Sequence, residues 1–374
     1  MKKIAIIGYN FNHPNGNIRN SLPFIEMCKK HKDIEIHLIM PRYWKDHQKN
    51  WQKYDNKTYE DLKIKNLKIY KLDSFFSGHE WLYYLKDLEK TLKKIKPDTI
   101  LSEDDYFMIN TYKACKFAKK QDIPFLNYSW DNLFINTYGP FKYFEKFILK
   151  NTTKFIAGTK DVRKVMIRKG ISSKNIVVIP QSGVNLDFFK PKEVKKEYIL
   201  YAGQISEHKG IDTILNAIKI LKKENIEWHF LGKGPLKDKI LKISKRNKNI
   251  KVHDWVDYEK MPEFLSKAKI FLYPSIPTKI WEEQYGFAML EAMACGVPVI
   301  ASNTSGPNAI IENKKDGILI DVDDEEALAR NIDELSKDKK KYSLIRDNAM
   351  IKAKELSLLN ISEKFYLLFK KIID

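Results

Sequence analysis

The stretch that decides the fold is Glu282–Ser302, EEQYGFAMLEAMACGVPVIAS. Gly286 stands where a loop would turn into a helix, and residues 288–294 are good helix formers. Gly296 is a credible helix stop, and the apolar run 297–301 behind it is typical of a buried strand. The stretch therefore predicts a loop, a helix and a strand in the order found in α/β proteins.

Two glutamates in this stretch, Glu283 and Glu291, are separated by seven residues. On a helix that rises ~1.5 Å per residue they would lie ~8–12 Å apart, one ahead of the helix and one in its second turn. Carboxylates suit sugar or ribose hydroxyls, and the free N–H groups of Gly286 and Phe287 favour phosphate. The alternative is that Glu282 and Glu283 are ordinary first-turn acids and Glu291 is solvated. The apolar neighbours of Glu291 weigh against that alternative, because they favour its burial.

Short apolar runs alternate with helical segments on both sides of this stretch, which indicates βαβ units and parallel sheets. The rhythm breaks in the turn-rich residues 180–195 and then restarts, so we expect two domains, 1–190 and 191–374. Ligands of such domains bind beyond the carboxyl ends of the strands. The predicted strands are 3–8, 34–40, 67–70, 99–101, 124–128, 198–201, 228–231, 250–252, 270–273, 297–301 and 317–320; the predicted helices are 18–30, 84–95, 111–120, 212–223, 236–245 and segments from 325 onward.

The composition of the 374 residues excludes several classes of protein. With 43% hydrophobic residues the chain is not disordered, and its three cysteines are too far apart for a disulfide framework or a cysteine-based zinc site. The apolar run Ile4–Ile7 is too short for a signal peptide, and no run of 18 apolar residues occurs. We therefore expect a cytoplasmic protein.

Three further stretches appear in an order that matches a known family. They are YAGQISEHKG at Tyr201–Gly210, FLGKGP at Phe230–Pro235 and VIPQSGVNLDFF at Val178–Phe189. Together with the paired glutamates they resemble the retaining glycosyltransferases of the GT-B fold, family-4 type, also called glycosyl transferases group 1. The resemblance covers residues ~150–330 well. It implies two Rossmann-like, doubly wound parallel-sheet domains that face each other across a cleft, with a last helix that can return to the first domain.

The resemblance also implies roles for individual residues. Lys209 would bind the donor diphosphate, Glu283 would lie beside the donor sugar, and Glu291 would hold the ribose. Residues 1–190 would bind the acceptor and residues 191–374 the nucleotide sugar. Trp255 falls where relatives hold the nucleobase, although a plain core position is as compatible with its sequence context. The full implied donor site is Gly203, Gln204, Lys209, Trp255, Val256, Glu283, Gly286, Phe287 and Glu291.

The sequence departs from the family in the donor half. Gln204 stands where the family has a phosphate-binding arginine. Glutamine can donate a hydrogen bond but cannot neutralise charge, so another cation should compensate. Lys233 and His208 are the candidates.

The acceptor half departs from the family as well. Many relatives have a histidine in the first domain where this chain reads YSWDN at residues 128–132. Asp131 and Asn132 inherit that position, and Trp130 is suited to stacking on a sugar. Gly16, in the glycine loop that follows the first strand, would face the acceptor or a phosphate. The acidic run 102–105 could contact acceptor hydroxyls, but a capped helix start is favoured there.

The function implied is transfer of a sugar, with retention of configuration, from a UDP- or GDP-sugar to a hydroxyl of a glycan or lipid-linked acceptor in bacterial or archaeal surface-glycan assembly. Neither a cofactor nor a metal is expected, since lysine and the helix N-terminus would neutralise the leaving diphosphate. The alternatives are a nucleotide-sugar epimerase of the same fold and a catalytically degenerate, membrane-associated relative. Only an epimerase would convert the nucleotide sugar without an acceptor.

The formal net charge of +19 is concentrated in the first part of the chain. Residues 1–200 hold 38 Lys and Arg against 22 Asp and Glu, whereas residues 201–374 hold 29 against 26. A uniform bias in composition would spread over both parts. We therefore expect residues 141–170 to dock on an anionic membrane surface, and the protein to be peripheral on the inner face of the membrane. Without a helix-turn-helix, RNP or zinc-finger pattern, nucleic acid is not expected as a partner.

Overall fold

The computed structural model describes residues 1–9, 11, 18–45, 51–53, 59, 62–79, 81–194, 196–221, 226–279 and 281–374. It divides into two units. The first unit contains residues 1–183 and 358–374, and the second contains residues 184–357. The chain thus leaves the first unit once and returns to it at the end.

The first unit is built on a parallel sheet with the strand order β11-β10-β9-β8-β1-β2-β5. Two short antiparallel pairs, β3-β4 and β6-β7, lie outside it. The strands are β1 Lys2–Ile7, β2 Ile34–Pro41, β3 Tyr43–Lys45, β4 Trp51–Lys53, β5 Leu67–Leu72, β6 Ser74–Phe75, β7 Tyr84–Leu85, β8 Thr99–Ser102, β9 Phe125–Ser129, β10 Lys154–Ala157 and β11 Ile176–Val178. The helices are α1 Leu22–Lys30, α2 Leu88–Ile95, α3 Ile109–Lys120, α4 Gly139–Asn151, α5 Lys160–Arg168 and, after the second unit, α13 Leu358–Ile373.

Helices cover both faces of this sheet, as the continuous apolar run of β1 requires. Ile4 and Ile6 belong to a buried cluster with residues of α1 and α13. Ala5 and Ile7 point to the opposite face and belong to a cluster with residues of α2, α3 and α4.

The last helix, α13, packs in the first unit, which confirms the expected return. The rings of Phe24 on α1 and Phe365 on α13 meet edge to face at 5.2 Å between centroids. At the surface, Glu363 pairs with Lys30 at 2.6 Å. The apolar contact supplies most of the stabilisation, because an exposed ion pair contributes at most ~1 kcal/mol.

The second unit is built on a parallel sheet with the order β14-β13-β12-β15-β16-β17. Its strands are β12 Tyr198–Ala202, β13 Glu227–Leu231, β14 Ile250–His253, β15 Ala268–Tyr273, β16 Val299–Ser302 and β17 Ile318–Ile320. Its helices are α6 Ile211–Leu221, α7 Lys237–Ser244, α8 Met261–Lys267, α9 Phe287–Ala294, α10 Ser305–Ile310, α11 Glu325–Lys337 and α12 Lys339–Glu355. Both units therefore confirm the predicted α/β class with parallel, Rossmann-like sheets.

Two predicted helices begin later than expected, and the first of them, predicted over 18–30, begins at Leu22. The sequence predicted a helix over residues 84–95, but Tyr84 and Leu85 form a short strand and the helix begins at Leu88. The break occurs at Asp87, whose φ of 59° lies in the left-handed region. That conformation cannot continue a right-handed helix. Among the described residues, no helix is both long and apolar enough to cross a membrane.

Candidate functional site

Lys209, Tyr273 and Glu283 come together in the second unit. The Lys209 Nζ lies 2.6 Å from Glu283 Oε2, and the Tyr273 hydroxyl donates to the same oxygen at 2.7 Å. The side chains of Lys209 and Glu283 are each only 15% exposed. Tyr273 ends β15, so this pair lies at the carboxyl edge of the sheet, where ligands of such sheets bind.

The ammonium group of Lys209 is held by aromatic rings as well as by the carboxylate. Its Nζ lies 4.4 Å from the ring centroid of Trp281, and the ring of His208 meets Trp281 edge on at 4.7 Å. Burial and the neighbouring Lys209 lower the pKa of His208. His208 is therefore neutral at pH 7, and Lys209 carries the positive charge of this group.

Gly210 explains why the turn that carries Lys209 can approach β15. Its φ of 70° lies in the left-handed region, and a Cβ placed on it would lie 1.9 Å from the carbonyl oxygen of Pro274. A hydrogen bond from Ile276 N to His208 O, 2.8 Å long, joins the same two segments. Lys209 and Gly210, the last two residues of the stretch Tyr201–Gly210, thus place the Lys209 ammonium beside the end of β15.

Helix α9 begins as the sequence predicted. Gly286 is its N-cap residue, with a φ of 89°, and as a glycine it has no side chain with which to cap the helix. A Cβ on Gly286 would lie 3.4 Å from the Tyr273 ring and 2.3 Å from Met289 Cε. The positive end of the helix therefore lies beside Tyr273, whose hydroxyl contacts Glu283. At the other end, Gly296 has a φ of 67°, typical of a helix stop.

The other two glutamates of the deciding stretch have different environments. Glu291 is only 5% exposed and accepts a hydrogen bond from the Tyr258 hydroxyl at 2.8 Å, so the solvated alternative was wrong. Glu282 accepts from the backbone N–H of Ser305 at 2.8 Å, at the start of α10. It therefore supports the next helix rather than forming an acid pair at the start of α9.

Lys233 lies close to the position of the missing arginine. The N–H of Ile205, the residue after Gln204, donates to Lys233 O at 2.8 Å. A Cβ on Gly232 would lie 1.9 Å from Gly203 O, so glycine allows these two turns to touch. Both Gln204 and Lys233 are exposed. Because His208 is neutral, Lys233 is the better of the two predicted replacements.

Trp255 and Val256 follow the end of β14 in the same sheet. Trp255 is 61% exposed, which contradicts the core alternative. Val256 is half-buried. An exposed indole at the carboxyl edge of a sheet is available for stacking with a flat ring.

In the first unit, the predicted acceptor residues Trp130, Asp131 and Asn132 follow β9 directly and are all half-buried. The Trp130 ring packs against Gly158, where a Cβ would lie 2.6 Å from it. The N–H of Asp131 donates to Ser129 Oγ at 3.2 Å. Gly16, the fourth predicted residue, lies outside the described residues.

Glu103 and Gln181 join these residues and were not predicted as site residues. The indole N–H of Trp130 donates to the Gln181 amide oxygen, and Gln181 Nε2 donates to Glu103 Oε2 at 3.0 Å. Burial raises the pKa of Glu103 to about 8, so it is largely protonated at pH 7. Among the described residues, nothing hydrogen-bonds its other carboxyl oxygen, Oε1, which is buried.

The acidic run 102–105 could have indicated Glu103, because it follows a buried strand. A capped helix start was favoured there, and this was wrong. Helix α3 begins only at Ile109, and its N-cap residue, Met108, makes no side-chain cap. Asp104 instead accepts a hydrogen bond from the Tyr83 hydroxyl, and Asp105 accepts one from Ser129 Oγ at 2.6 Å.

Comparisons with known proteins find similar sequences and similar folds. A protein in the cps region of Klebsiella pneumoniae, described as uncharacterized, is 30% identical over 49% of this chain and 51% of its own length. The chain thus spans about half of that relative. An Anabaena HepE structure in complex with UDP has a TM-score of 0.73 at 15% identity and covers 99% of this chain and 100% of its own.

A lipopolysaccharide outer core galactosyltransferase in its apo form has a TM-score of 0.69 at 18% identity, with 99% of each chain covered. These structural likenesses show the GT-B fold. Residues 185–352, nearly the whole second unit, match the family model described as "Glycosyl transferases group 1". Through its second unit the chain is therefore similar to the glycosyl transferases group 1.

Proposed function

We propose that the protein is a retaining glycosyltransferase that uses a UDP- or GDP-sugar as donor and a hydroxyl of a glycan or lipid-linked molecule as acceptor. The match of residues 185–352 to the glycosyl transferases group 1 supports the reaction class. The similar HepE protein binds UDP, which supports a nucleoside diphosphate donor. The relative in the cps region and the similar lipopolysaccharide galactosyltransferase support a place in surface-glycan assembly.

The observation that carries the proposal is the Lys209–Glu283–Tyr273 group beside the start of α9. A diphosphate placed there would meet a lysine ammonium and the positive end of a helix. Lys209 has three N–H donors, so it can keep Glu283 and still donate to a phosphate oxygen. This would stabilise the charge that develops on the leaving nucleoside diphosphate.

In the proposed reaction the bond between the sugar C1 and the diphosphate oxygen breaks while a bond from C1 to the acceptor oxygen forms on the same face. The acceptor hydroxyl gives its proton to the departing phosphate oxygen, so charge and atoms balance. Glu283 would accept hydrogen bonds from the donor sugar and hold Lys209 in place. Because lysines supply the positive charge, we propose that transfer needs no metal ion.

The remaining donor residues would hold the nucleoside. Glu291 has one oxygen bonded to Tyr258 and would accept the ribose hydroxyls with its carboxylate. Trp255, being exposed, would stack on the base. Lys233 would supply the second positive charge for the diphosphate in place of the arginine that Gln204 replaces.

We further propose that the acceptor binds at Trp130, Asp131 and Asn132 together with Glu103. A protonated Glu103 can exchange hydrogen bonds with an acceptor hydroxyl because it can donate as well as accept. Gln181 would act as a positioning residue, since it touches both Trp130 and Glu103.

The test begins with thermal-shift measurements of the protein with a panel of nucleotide sugars, followed by transfer assays with the donor that binds. Lys209→Ala and Glu283→Ala should each lower kcat by roughly 100-fold or more, as loss of a charge-stabilising group does. Lys242→Ala is the control, because Lys242 is exposed on α7. Its turnover should be that of the parent protein.

Three results would contradict the proposal. The first is unchanged turnover in both site variants. The second is conversion of the nucleotide sugar in the absence of any acceptor, which indicates an epimerase. The third is the absence of nucleotide-sugar binding across the panel, which indicates a degenerate relative.

A further inference from the structure

Helices α3 and α4 of the first unit lie side by side and present an outward face of lysines and aromatic rings. The rings of Tyr112 on α3 and Phe144 on α4 stack at 4.5 Å between centroids, and Tyr112 also meets Tyr143 at 5.8 Å. Tyr143 is 59% exposed. The aromatic–lysine face, as we call it, consists of Tyr112, Lys113, Lys116, Lys119 and Lys120 on α3 and Lys142, Tyr143, Lys146, Phe147 and Lys150 on α4.

Lysine ammonium groups lie over several of the rings of this face. Lys116 Nζ is 5.9 Å from the Tyr112 centroid, and Lys119 Nζ is 5.4 Å from the Phe147 centroid. Lys116 and Lys119 are both exposed, so their charged ends lie at the surface beside these rings. This is the arrangement in which lysine carries its charge at the boundary between an apolar and an aqueous phase.

The short β6-β7 pair extends the face at one end. Lys113 Nζ lies 3.4 Å from the ring centroid of Tyr84 on β7, and Tyr84 stacks with Phe75 on β6 at 5.9 Å. Phe75 is 54% exposed, and the next residue, Phe76, is 65% exposed. Two large apolar rings are thus exposed to solvent next to the lysines, as is typical of surfaces that contact a membrane or another protein.

The charge of the face is positive without compensation from its own helices. The two helices together contain seven lysines, and Glu145 is their one acidic residue. Glu145 is buried and pairs with Lys169 at 2.7 Å, so it does not offset the outward charge. Lys169 is itself only 7% exposed, which removes it from the docking segment 141–170 that the sequence predicted.

We propose that the aromatic–lysine face, with Phe75 and Phe76, docks the protein on an anionic lipid bilayer. Lysines near such a surface gain attraction from anionic headgroups, and aromatic side chains are favoured at the headgroup level. A nucleic-acid duplex would contact the lysines through its phosphates but would leave Phe75 and Phe76 in water. The inference rests on the proposed function in one respect, because a bilayer is where a lipid-linked acceptor would be found.

Vesicle binding tests the charged part of the face. The variant Lys113→Gln/Lys116→Gln/Lys119→Gln should bind vesicles of phosphatidylglycerol and phosphatidylcholine about 100-fold less tightly, since each lysine near an anionic surface contributes roughly fivefold. The matched control is Lys63→Gln/Lys65→Gln/Lys68→Gln. Lys63, Lys65 and Lys68 are exposed in the same unit, and their substitution lowers the net charge by as much as the substitution of the three lysines of the face. The control should bind nearly as tightly as the parent protein.

A second variant, Phe75→Ser/Phe76→Asn, tests the aromatic part. Asparagine suits position 76, where φ is 54°. Binding to anionic vesicles should fall at least tenfold, while binding to DNA of equal charge density should not change. Equal loss in the lysine variant and its control would overturn the proposal. So would aromatic substitutions without effect, or binding of the parent protein to neutral vesicles as tight as to anionic ones.

Transfer assays keep this proposal separate from the proposed function. Both docking variants should retain the turnover of the parent protein on a water-soluble acceptor, because none of these residues is in the donor or acceptor site. If transfer occurs but vesicles are not bound, the docking proposal alone is wrong. If vesicles are bound but no sugar is transferred, the proposed function is wrong and the docking surface stands.

Discussion

At the scale of single residues, two glycines with left-handed backbone angles have unequal reasons to be glycine. Gly170, at the end of α5, has a φ of 91°, and a Cβ placed on it would have nothing within 4 Å. Gly210, beside Lys209, has a φ of 70°, and a Cβ placed there would lie 1.9 Å from a backbone carbonyl oxygen. Position 170 requires only a residue that adopts the left-handed conformation, whereas position 210 also requires a residue without a side chain.

Alanine substitution should separate these two causes. Gly170→Ala should lower the free energy of unfolding by about 1 kcal/mol, the cost of a left-handed angle. Gly210→Ala should cost more than about 3 kcal/mol, because the backbone must also move away from Pro274. Urea denaturation of the two variants measures the difference. Equal losses would show that the contact with Pro274 is unimportant.

Lys233 should be the second cation of the donor site. Lys233→Ala should weaken binding of the nucleoside diphosphate by about tenfold, the loss expected for a charge-assisted hydrogen bond. His208→Gln should change it little at pH 7, because His208 is neutral there. Isothermal titration with UDP and GDP measures both variants. A larger loss in His208→Gln than in Lys233→Ala would reverse the assignment.

Glu103 should make the first unit less stable in alkali. Its pKa is raised to about 8, so the folded state holds a proton that the unfolded state has released above about pH 4.5. The stability this gives is present below pH 4.5 and is lost as the pH rises through about 8. Glu103→Gln should therefore show a higher urea midpoint than the parent protein at pH 9, by on the order of 0.5 M. If the urea midpoints of Glu103→Gln and the parent protein differ by the same amount at pH 6.5 and at pH 9, this prediction is wrong.

At the scale of elements, strands β13 and β14 carry a titratable pair with the opposite pH dependence. His229 Nδ1 lies 3.1 Å from His253 Nε2, and the His229 ring stacks on Tyr198 of β12 at 3.7 Å between centroids. Burial lowers the pKa of both histidines, and each would repel the other if both were charged. The two strands therefore keep this pair neutral.

Mild acid should weaken the second unit through this pair. The folded pKa values lie below the unfolded value near 6.5, so the unfolded state binds more protons in between. Stability is full above pH 6.5 and falls as the pH drops through it. Thermal unfolding at pH 7.5 and pH 5.5 should show a fall in Tm that His229→Gln/His253→Gln reduces. An equal fall in the double variant would assign the effect to other groups.

At the scale of the whole molecule, the chain completes its first unit with its last helix. Ile361, Phe365 and Phe369 on α13 are fully buried in the cluster that covers one face of the first sheet. Leu367 on the same helix is 56% exposed. Residues at the two ends of the sequence therefore form one core, although the second unit separates them along the chain.

Removal of α13 should unfold the first unit and leave the second unit able to bind nucleotide. Phe365→Ala should cost about 3–5 kcal/mol, as large-to-small changes in a core do, and Leu367→Ala less than about 1 kcal/mol. Differential scanning calorimetry with and without UDP measures both effects. If the chain truncated after Ser357 still shows the unfolding transition of the first unit, the role given to α13 is wrong.

The prediction of the second unit from sequence succeeded where local rules govern. Gly286 and Gly296 bracket α9 because a helix begins and ends at residues with suitable backbone angles, and such residues are visible in the sequence. In the first unit, the prediction of a helix over 84–95 was wrong at Asp87, because an aspartate in the left-handed conformation has no reliable local signal. The prediction of a capped helix start at residues 102–105 was wrong because the ends of strands and the caps of helices share the same residue types.

The sequence by itself determined the α/β class and the order of the motifs, because period and spacing are properties of the chain. Only the tertiary structure decided that Glu282 supports α10 while Glu283 meets Lys209 and Tyr273. It also decided that Glu103 is joined to Trp130 through Gln181. These partners lie on separate strands and loops, and only the packing of the sheets and helices brings their side chains within hydrogen-bond distance.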